Sequence, residues 1–425
     1  MRPRFPTSAR SGRGLLSGLL LLITCTVIAA LVFRYEAGPP PAGEGPAPTA
    51  TSAPPAGVPA ATSRPIPTAQ AAPPAGQVPV TRPATTPPPP TPTAPPEPKL
   101  RGVNVFLQFG RGGTAKNAQQ FRLARDVGAD IIRGTVLWSE VEPGKRGEYN
   151  AGYLARLDEI VAQAEEQRLK PVFSVALTPC WASGDPNKNC RSGKWKYWYP
   201  PEDPEDYAAV FGYLTARYRD RVLAWEIWNE PNLSKYWGDI PPDPVKYTQM
   251  VRAVRSSSPD AFLLAGSLSF SDVGYLESMY DSGAQGAFDA LALHPYTWRP
   301  PSDCSVEPEY TFACGIEKIR RLMIARGDER DIWFTEFGWT SLEIGEPAQA
   351  AYLASAYSIL ERWPYVRAAA WYSLLDRAWD TPGFSSADRE CCFGLYRADA
   401  TGKPAARAMR RLPLSREDGR PIMGL

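Results

Sequence analysis

The sequence predicts an α/β protein whose folded part is a closed (β/α)8 barrel. Three observations lead there. Composition is uneven along the 425 residues: 22 of the 46 prolines lie between Gly38 and Lys99, which confines the folded part to roughly Leu100–Leu425. That length suits one large barrel with elaborated loops. Short apolar runs alternate with longer helical patterns, as in a parallel sheet with helical crossovers. Eight such runs can be counted. An open doubly wound sheet is the alternative, but no Gly-rich phosphate loop follows the first strand.

The candidate strands are Arg101–Leu107, Asp130–Gly134, Pro171–Ala176, Val222–Trp228, Phe262–Gly266, Phe288–His294, Ile332–Glu336 and Ala368–Ser373. Between them, Tyr153, Leu157, Ile160, Val161 and Ala164 recur at helical spacing, as do Tyr207, Val210, Phe211, Leu214 and Tyr218. Further helices are expected over Ile316–Ala325 and Ala348–Trp363.

The N-terminal quarter reads differently. Gly14–Phe33 is an uninterrupted apolar run preceded by Arg2, Arg4, Arg10 and Arg13. Its length suits a bilayer core, and the arginines hold the N-terminus in the cytoplasm. A cleaved signal peptide is the rival reading. Either way the barrel is expected outside the membrane. The segment after it is Pro, Ala, Thr and Gly, too poor in large apolar residues to offset ordering entropy. In polyproline II, at about 3.1 Å per residue, such a stalk could reach at most ~190 Å. The expected order is a basic N-terminus (1–13), a transmembrane signal anchor (14–34), a disordered stalk (35–99), the barrel (100–412) and a tail (413–425).

Six cysteines lie outside the apolar run, an even number that suits disulfides in an oxidising compartment. Spacing suggests Cys180–Cys190 and Cys304–Cys314. Cys391 and Cys392 are adjacent and either bond each other or reach elsewhere. A zinc site has little to build on, with no C-x-x-C pair and a single His. Net charge is +2, and five arginines fall in the first 34 residues, so no basic face points to nucleic acid. No cofactor or metal is expected, and a monomer is.

Barrel chemistry sits where strands end. The fourth candidate strand runs into Trp225-Glu226-Ile227-Trp228-Asn229-Glu230-Pro231-Asn232, and the seventh into Trp333-Phe334-Thr335-Glu336-Phe337-Gly338-Trp339. Each brings a Glu to the same face. Cleaving a glycosidic bond needs a proton on the leaving oxygen and an anion across from it. Where two carboxylates stand about 5–5.5 Å apart, the second attacks directly and configuration is retained. Glu226, two steps below Trp228, is expected to pair with an Arg inside the barrel.

These two segments together resemble glycoside hydrolases of clan A, nearest to families 39 and 5. The resemblance spans roughly Arg101–Arg411 and implies the following roles. Glu230 is the acid/base and Glu336 the nucleophile. Asn229 binds the sugar 2-hydroxyl. Arg133, in Ile132-Arg133-Gly134, supports the nucleophile. His294 and Tyr296, in His294-Pro295-Tyr296, belong to the site, with Tyr296 contacting the nucleophile. Trp371 lies under the sugar ring. Cys391-Cys392 departs from the pattern, standing where polar or acidic residues are expected. Aromatic residues of the strand-end loops, Trp298 and Trp339 among them, are candidate sugar-stacking faces, and the long loop Thr178–Pro204 is a candidate wall.

The expected activity is retaining hydrolysis of a β-linked glycan. A transglycosylase and a non-catalytic glycan-binding barrel are the alternatives. No Ser-His-Asp arrangement is available, since there is one His and no G-x-S-x-G elbow.

Overall fold

A computed structural model describes residues 99–186, 197–377 and 389–412. The chain divides into two units, Met1–Pro87 and Pro88–Leu425, and every described residue lies in the second. The expected cytoplasmic segment, anchor and tail, and the stalk up to Pro98, lie outside the described residues. Among the described helices none is long and apolar enough to cross a membrane.

Eight parallel strands close in sequence order into a barrel, each strand pairing with the next and β8 with β1. The strands are β1 (Leu100–Asn104), β2 (Ile131–Leu137), β3 (Lys170–Ala176), β4 (Ala224–Ile227), β5 (Leu263–Ser269), β6 (Ala290–His294), β7 (Ile332–Phe337) and β8 (Val366–Trp371). Around them lie α1 (Gly113–Asp126), α2 (Ala151–Glu166), α3 (Pro204–Arg217), α4 (Pro244–Ser257), α5 (Val273–Asp281), α6 (Ala313–Ala325), α7 (Glu346–Glu361) and α8 (Pro404–Arg411).

The helices start where the sequence provides caps. Asn150 accepts from the N–H groups of Gly152 and Tyr153 at the start of α2. Asp203 and Asp243 cap α3 and α4, each followed by a Pro at the first helical position, where its missing N–H costs nothing. The apolar stripe of α2, from Tyr153 to Ala164, is buried against the sheet, as the spacing requires.

All eight strands fall where the sequence places them, with shifted ends. Val105 N–H still donates to Arg133 O at 2.9 Å, but past it the N–H groups after β1 turn to side-chain partners. Phe106 N–H donates to Gln120 Oε1 and Gln108 N–H to Asn117 Oδ1. β4 stops at Ile227 because Trp228 turns into the left-handed region, with φ 67°. Cys304 bonds Cys314, and Cys391 bonds its neighbour Cys392. The expected Cys180–Cys190 pairing involves Cys190, outside the described residues.

Candidate active site

The lumen turns polar at its C-terminal end. Arg133 (β2) stands at the centre, 3 % exposed. Its Nε donates to Glu226 at 2.6 Å, one terminal nitrogen to Asn104 Oδ1 at 3.1 Å and to Glu336, and the other to Asn229 Oδ1 at 3.0 Å. One guanidinium thus ties β1, β2, β4 and β7 together. Glu226 is fully buried and also accepts from Ser267 Oγ at 2.8 Å. Burial works against its charge, but Arg133 and His294 outweigh burial and hold the carboxyl at about 2. The Arg partner expected for Glu226 is therefore Arg133.

His294 ends β6 and is fully buried. Its Nδ1 is 3.0 Å from Glu230 Oε1 and its Nε2 3.0 Å from Thr335 Oγ1. Burial disfavours the imidazolium, but Glu336, Glu226 and Glu230 surround it and raise the ring to about 9. Glu336 accepts from the Tyr296 hydroxyl at 2.7 Å. Burial pushes its carboxyl up, while His294, Arg133 and Tyr296 together bring it below the usual range. Glu336 is therefore held ionised, as an attacking carboxylate must be.

Glu230 lies beyond β4 on strained backbone. Trp228, Glu230 and Ser267 all have positive φ, at 67°, 44° and 50°. Such conformations cost about 1–3 kcal/mol each and persist where the surroundings over-determine them. Here two buried tyrosines pin the chain. Tyr207 of α3 accepts from Trp228 N–H at 3.0 Å and donates to Val175 O at 2.6 Å. Tyr247 of α4 donates to Ile227 O at 2.8 Å and accepts from Gly266 N–H at 3.0 Å. Glu230 N–H then donates to Ser267 O at 3.1 Å, where β5 bulges between Gly266 and Leu268. At Gly266, with φ 99°, a Cβ would come within 2.8 Å of Ala292 O, so only glycine fits.

One ligand atom each from Glu230, His294 and Glu336 lies within 4.8 Å of the others. This trio has the spacing to hold a cation. Its charge is already balanced from within, by Arg133 and by an imidazole held protonated, which is a poor donor set for a metal.

The structure brings together Glu230, Glu336, Asn229, Arg133, His294 and Tyr296. It does not bring the tryptophans with them. Trp371 is fully buried, donates to Phe393 O at 3.0 Å and packs on Phe337 and Trp339. Trp339 is 2 % exposed, donates to Arg299 O at 2.8 Å and packs on Phe312. Neither keeps a face for a sugar, so the stacking role expected of both is corrected to core packing. The ring beside the site at the end of β8 is that of Tyr372, half-buried and edge-on to Tyr296 at 6.0 Å. Trp298 is 45 % exposed in the loop after β6, tilted against Tyr310. Asn104, Ser267, Tyr236, Tyr372 and Glu390 were not singled out by sequence reasoning. For Asn104 a signal exists: a polar residue on the lumen face of an apolar strand.

A closed parallel barrel with a glutamate beyond β4, another on β7, and an arginine–histidine network between them is the layout of a clan A glycoside hydrolase. The family follows from the sequence. The model for cellulase, glycosyl hydrolase family 5, matches residues 91–340, which include both glutamates, and the chain belongs to that family. Endoglucanase CelA of Streptomyces lividans is 27 % identical over 186 residues, which are 43 % of this chain and 35 % of that protein. The chain thus spans about a third of that relative's length. Solved structures share the fold. A family 39 glycoside hydrolase from Bacteroides cellulosilyticus is 24 % identical with a TM-score of 0.59, over 74 % of this chain and 63 % of that one. An exo-β-1,4-mannosidase from an Opitutaceae bacterium is 19 % identical with a TM-score of 0.55, over 73 % and 58 %.

Proposed function

We propose that this protein hydrolyses a β-linked polysaccharide or oligosaccharide outside the cell, with retention, by double displacement. The observation that carries this reading is the separation of at most 4.8 Å between carboxylate oxygens of Glu230 and Glu336. That is the short separation of a pair in which the second carboxylate attacks directly, not the roughly 6.5–9.5 Å of a pair that works through an intervening water. Glu336, ionised by Arg133, His294 and Tyr296, attacks the anomeric carbon. Glu230 protonates the leaving oxygen, then takes a proton from the water that frees the sugar from Glu336. Arg133 donates to Glu226 and Glu336, and Glu230 is the carboxyl of the pair assigned to carry and return a proton. Asn229, held by Arg133, meets the sugar hydroxyl next to the reacting carbon.

The β-linkage is supported by relatives described as an endoglucanase and a β-1,4-mannosidase. An extracytoplasmic setting is supported by the Cys304–Cys314 disulfide and by the apolar run Gly14–Phe33 behind its arginines. The test is turnover of aryl β-glycosides and a polysaccharide panel by residues 100–425, beside Glu230→Ala and Glu336→Ala, with NMR of the first-formed anomer. Turnover with retention, lost in both variants, is expected. Inversion, or activity in Glu336→Ala, overturns the reading. Products longer than the substrate indicate transglycosylation, and binding without turnover indicates a glycan-binding barrel.

A further inference from the structure

Beyond Glu226, one more carboxylate stands near the glutamate pair, delivered by the device that holds Glu336. Tyr296 donates its hydroxyl to Glu336 at 2.7 Å, and Tyr372 donates its own to Glu390 at 3.0 Å. The two tyrosine rings meet edge to face at 6.0 Å, and Phe393 packs edge-on against both, at 5.9 and 5.6 Å. Two tyrosine–carboxylate pairs therefore sit side by side over one space. Tyr236, from the segment after β4, feels the charges of Glu230, Glu390 and Glu336 together.

The turn that carries Glu390 is held from several sides. Cys391 is bonded to Cys392. The Cys391 carbonyl accepts from Arg377 N–H at 2.9 Å. The Cys392 carbonyl accepts from Ser341 Oγ at 3.0 Å, Lys403 Nζ at 3.1 Å and Gln349 Nε2 at 3.2 Å. Lys235 and Arg377 are the cations whose charge Glu390 feels most. Glu390 is half-buried, so it remains within reach of a ligand. A carboxylate fixed this firmly, aimed by a phenol and flanked by two cations, is a built acceptor for hydroxyl groups.

We infer that Glu390 determines specificity: it accepts hydrogen bonds from hydroxyls of the neutral sugar that stays on Glu336, and it turns away sugars bearing a carboxylate. The inference rests on the reading of Glu230 and Glu336 as the catalytic pair. Glu390 is held by Tyr372, whose ring packs on the Tyr296 that holds Glu336, and this assigns it to the retained sugar rather than to the leaving group. In the native site it engages the charges of Lys235 and Arg377. A uronic acid would meet its repulsion and find those cations already answered.

The experiment compares the unaltered full chain with Glu390→Gln and Tyr372→Phe. The probes are para-nitrophenyl β-glucoside, β-xyloside and β-mannoside, neutral β-glucan and β-mannan oligosaccharides, and para-nitrophenyl β-glucuronide. Losing a charged acceptor lowers kcat/KM for the neutral substrate roughly ten- to a hundredfold. For the glucuronide no such fall is expected, because Lys235 and Arg377 then face a neutral amide. The neutral-to-uronide ratio narrows at least about tenfold. A purely structural Glu390 would lower both rates in proportion. Where the glucuronide is not turned over, its inhibition constant against the neutral substrate serves instead. Tyr372→Phe, which removes only the hydroxyl that aims Glu390, shifts the ratio the same way and covers a Glu390 variant that does not fold. An unchanged ratio in both overturns the inference and leaves the hydrolase reading standing. Silence of the unaltered chain on every neutral glycan overturns both.

Discussion

The barrel lumen has two halves built from the same strands. In the lower half Ile131, Val172, Ala224, Leu264, Ala290, Ala292, Trp333 and Ala368 form a buried apolar cluster of their own. Two residues further along, β2 passes from Ile131 to Arg133, β3 from Val172 to Ser174, β4 from Ala224 to Glu226, β6 from Ala292 to His294 and β7 from Trp333 to Thr335. Strand periodicity puts each pair on one face. The lower half gains its stability from burial, and the indole N–H of Trp333 is the one polar side-chain atom in the cluster. The upper half buries an arginine, a histidine and three glutamates, and each must find a partner or cost several kcal/mol. Among the described residues the buried side-chain atoms without a hydrogen bond, such as Thr248 Oγ1 and Tyr275 OH, belong to neither half. The lower half thus holds the frame against which the upper half keeps its charges in register.

The comparison can be broken most severely at the top. Glu336→Gln should lower turnover by at least about a thousandfold, ~4 kcal/mol of barrier, with the melting temperature little changed. Steady-state kinetics beside a thermal melt measures both, and near-normal activity would remove Glu336 from its role.

Next in size, Arg133→Met leaves Glu226 and Glu336 buried without their cation. It should cost about 3–5 kcal/mol of stability as well as most of the activity. Urea unfolding measures it, and a loss under 1 kcal/mol would mean the network tolerates an unpaired charge. Leu264→Ala, in the lower half, should cost a similar 2–5 kcal/mol while the folded fraction keeps its kcat. A kcat loss matching that of Arg133→Met would show that the two halves are not separable.

Smaller effects follow from protonation. Glu226 titrates at about 2, below its ordinary value, so its contribution is present above about pH 4.5 and is lost as pH falls toward 2. His294 titrates at about 9, above its ordinary value. Its contribution is complete below about pH 6.5 and is lost as pH rises through 9. Melting temperature should therefore peak between about pH 5 and 6.5, and His294→Gln should flatten the alkaline limb alone. An unchanged alkaline limb would place that loss elsewhere. The smallest effect is expected outside the lumen: replacing Cys304 and Cys314 by Ser should lower stability by at most about 2–3 kcal/mol, the entropy of a loop this short, with kcat retained. A large kcat loss there would tie the β6 loop to the chemistry.

Much of this was legible from residue order. Eight apolar runs between amphipathic stretches predict the barrel, because strand and helix periods are local properties of the chain. Glu230 and Glu336 stood out because each closes a run of aromatic and apolar residues at a strand end. The strand ends were less legible, since the side chains of Gln120 and Asn117, on the following helix, capture the N–H groups past Val105. Trp371 and Trp339 misled for a related reason. An indole beside a strand end reads alike whether it points to the cleft or to the layer of helices.

By itself, then, the sequence determined the barrel, its glutamate pair and its arginine and histidine, because each depends on local period and on position at a strand end. Only the tertiary structure decided which carboxylate pairs with Arg133, that His294 bridges Glu226, Glu230 and Glu336, and that Tyr372 holds Glu390. Those are distances between atoms of different strands and loops. They are set by barrel closure, by the bulge in β5 and by the pinned backbone at Trp228 and Glu230, and none of these is encoded in the spacing of residues along one segment.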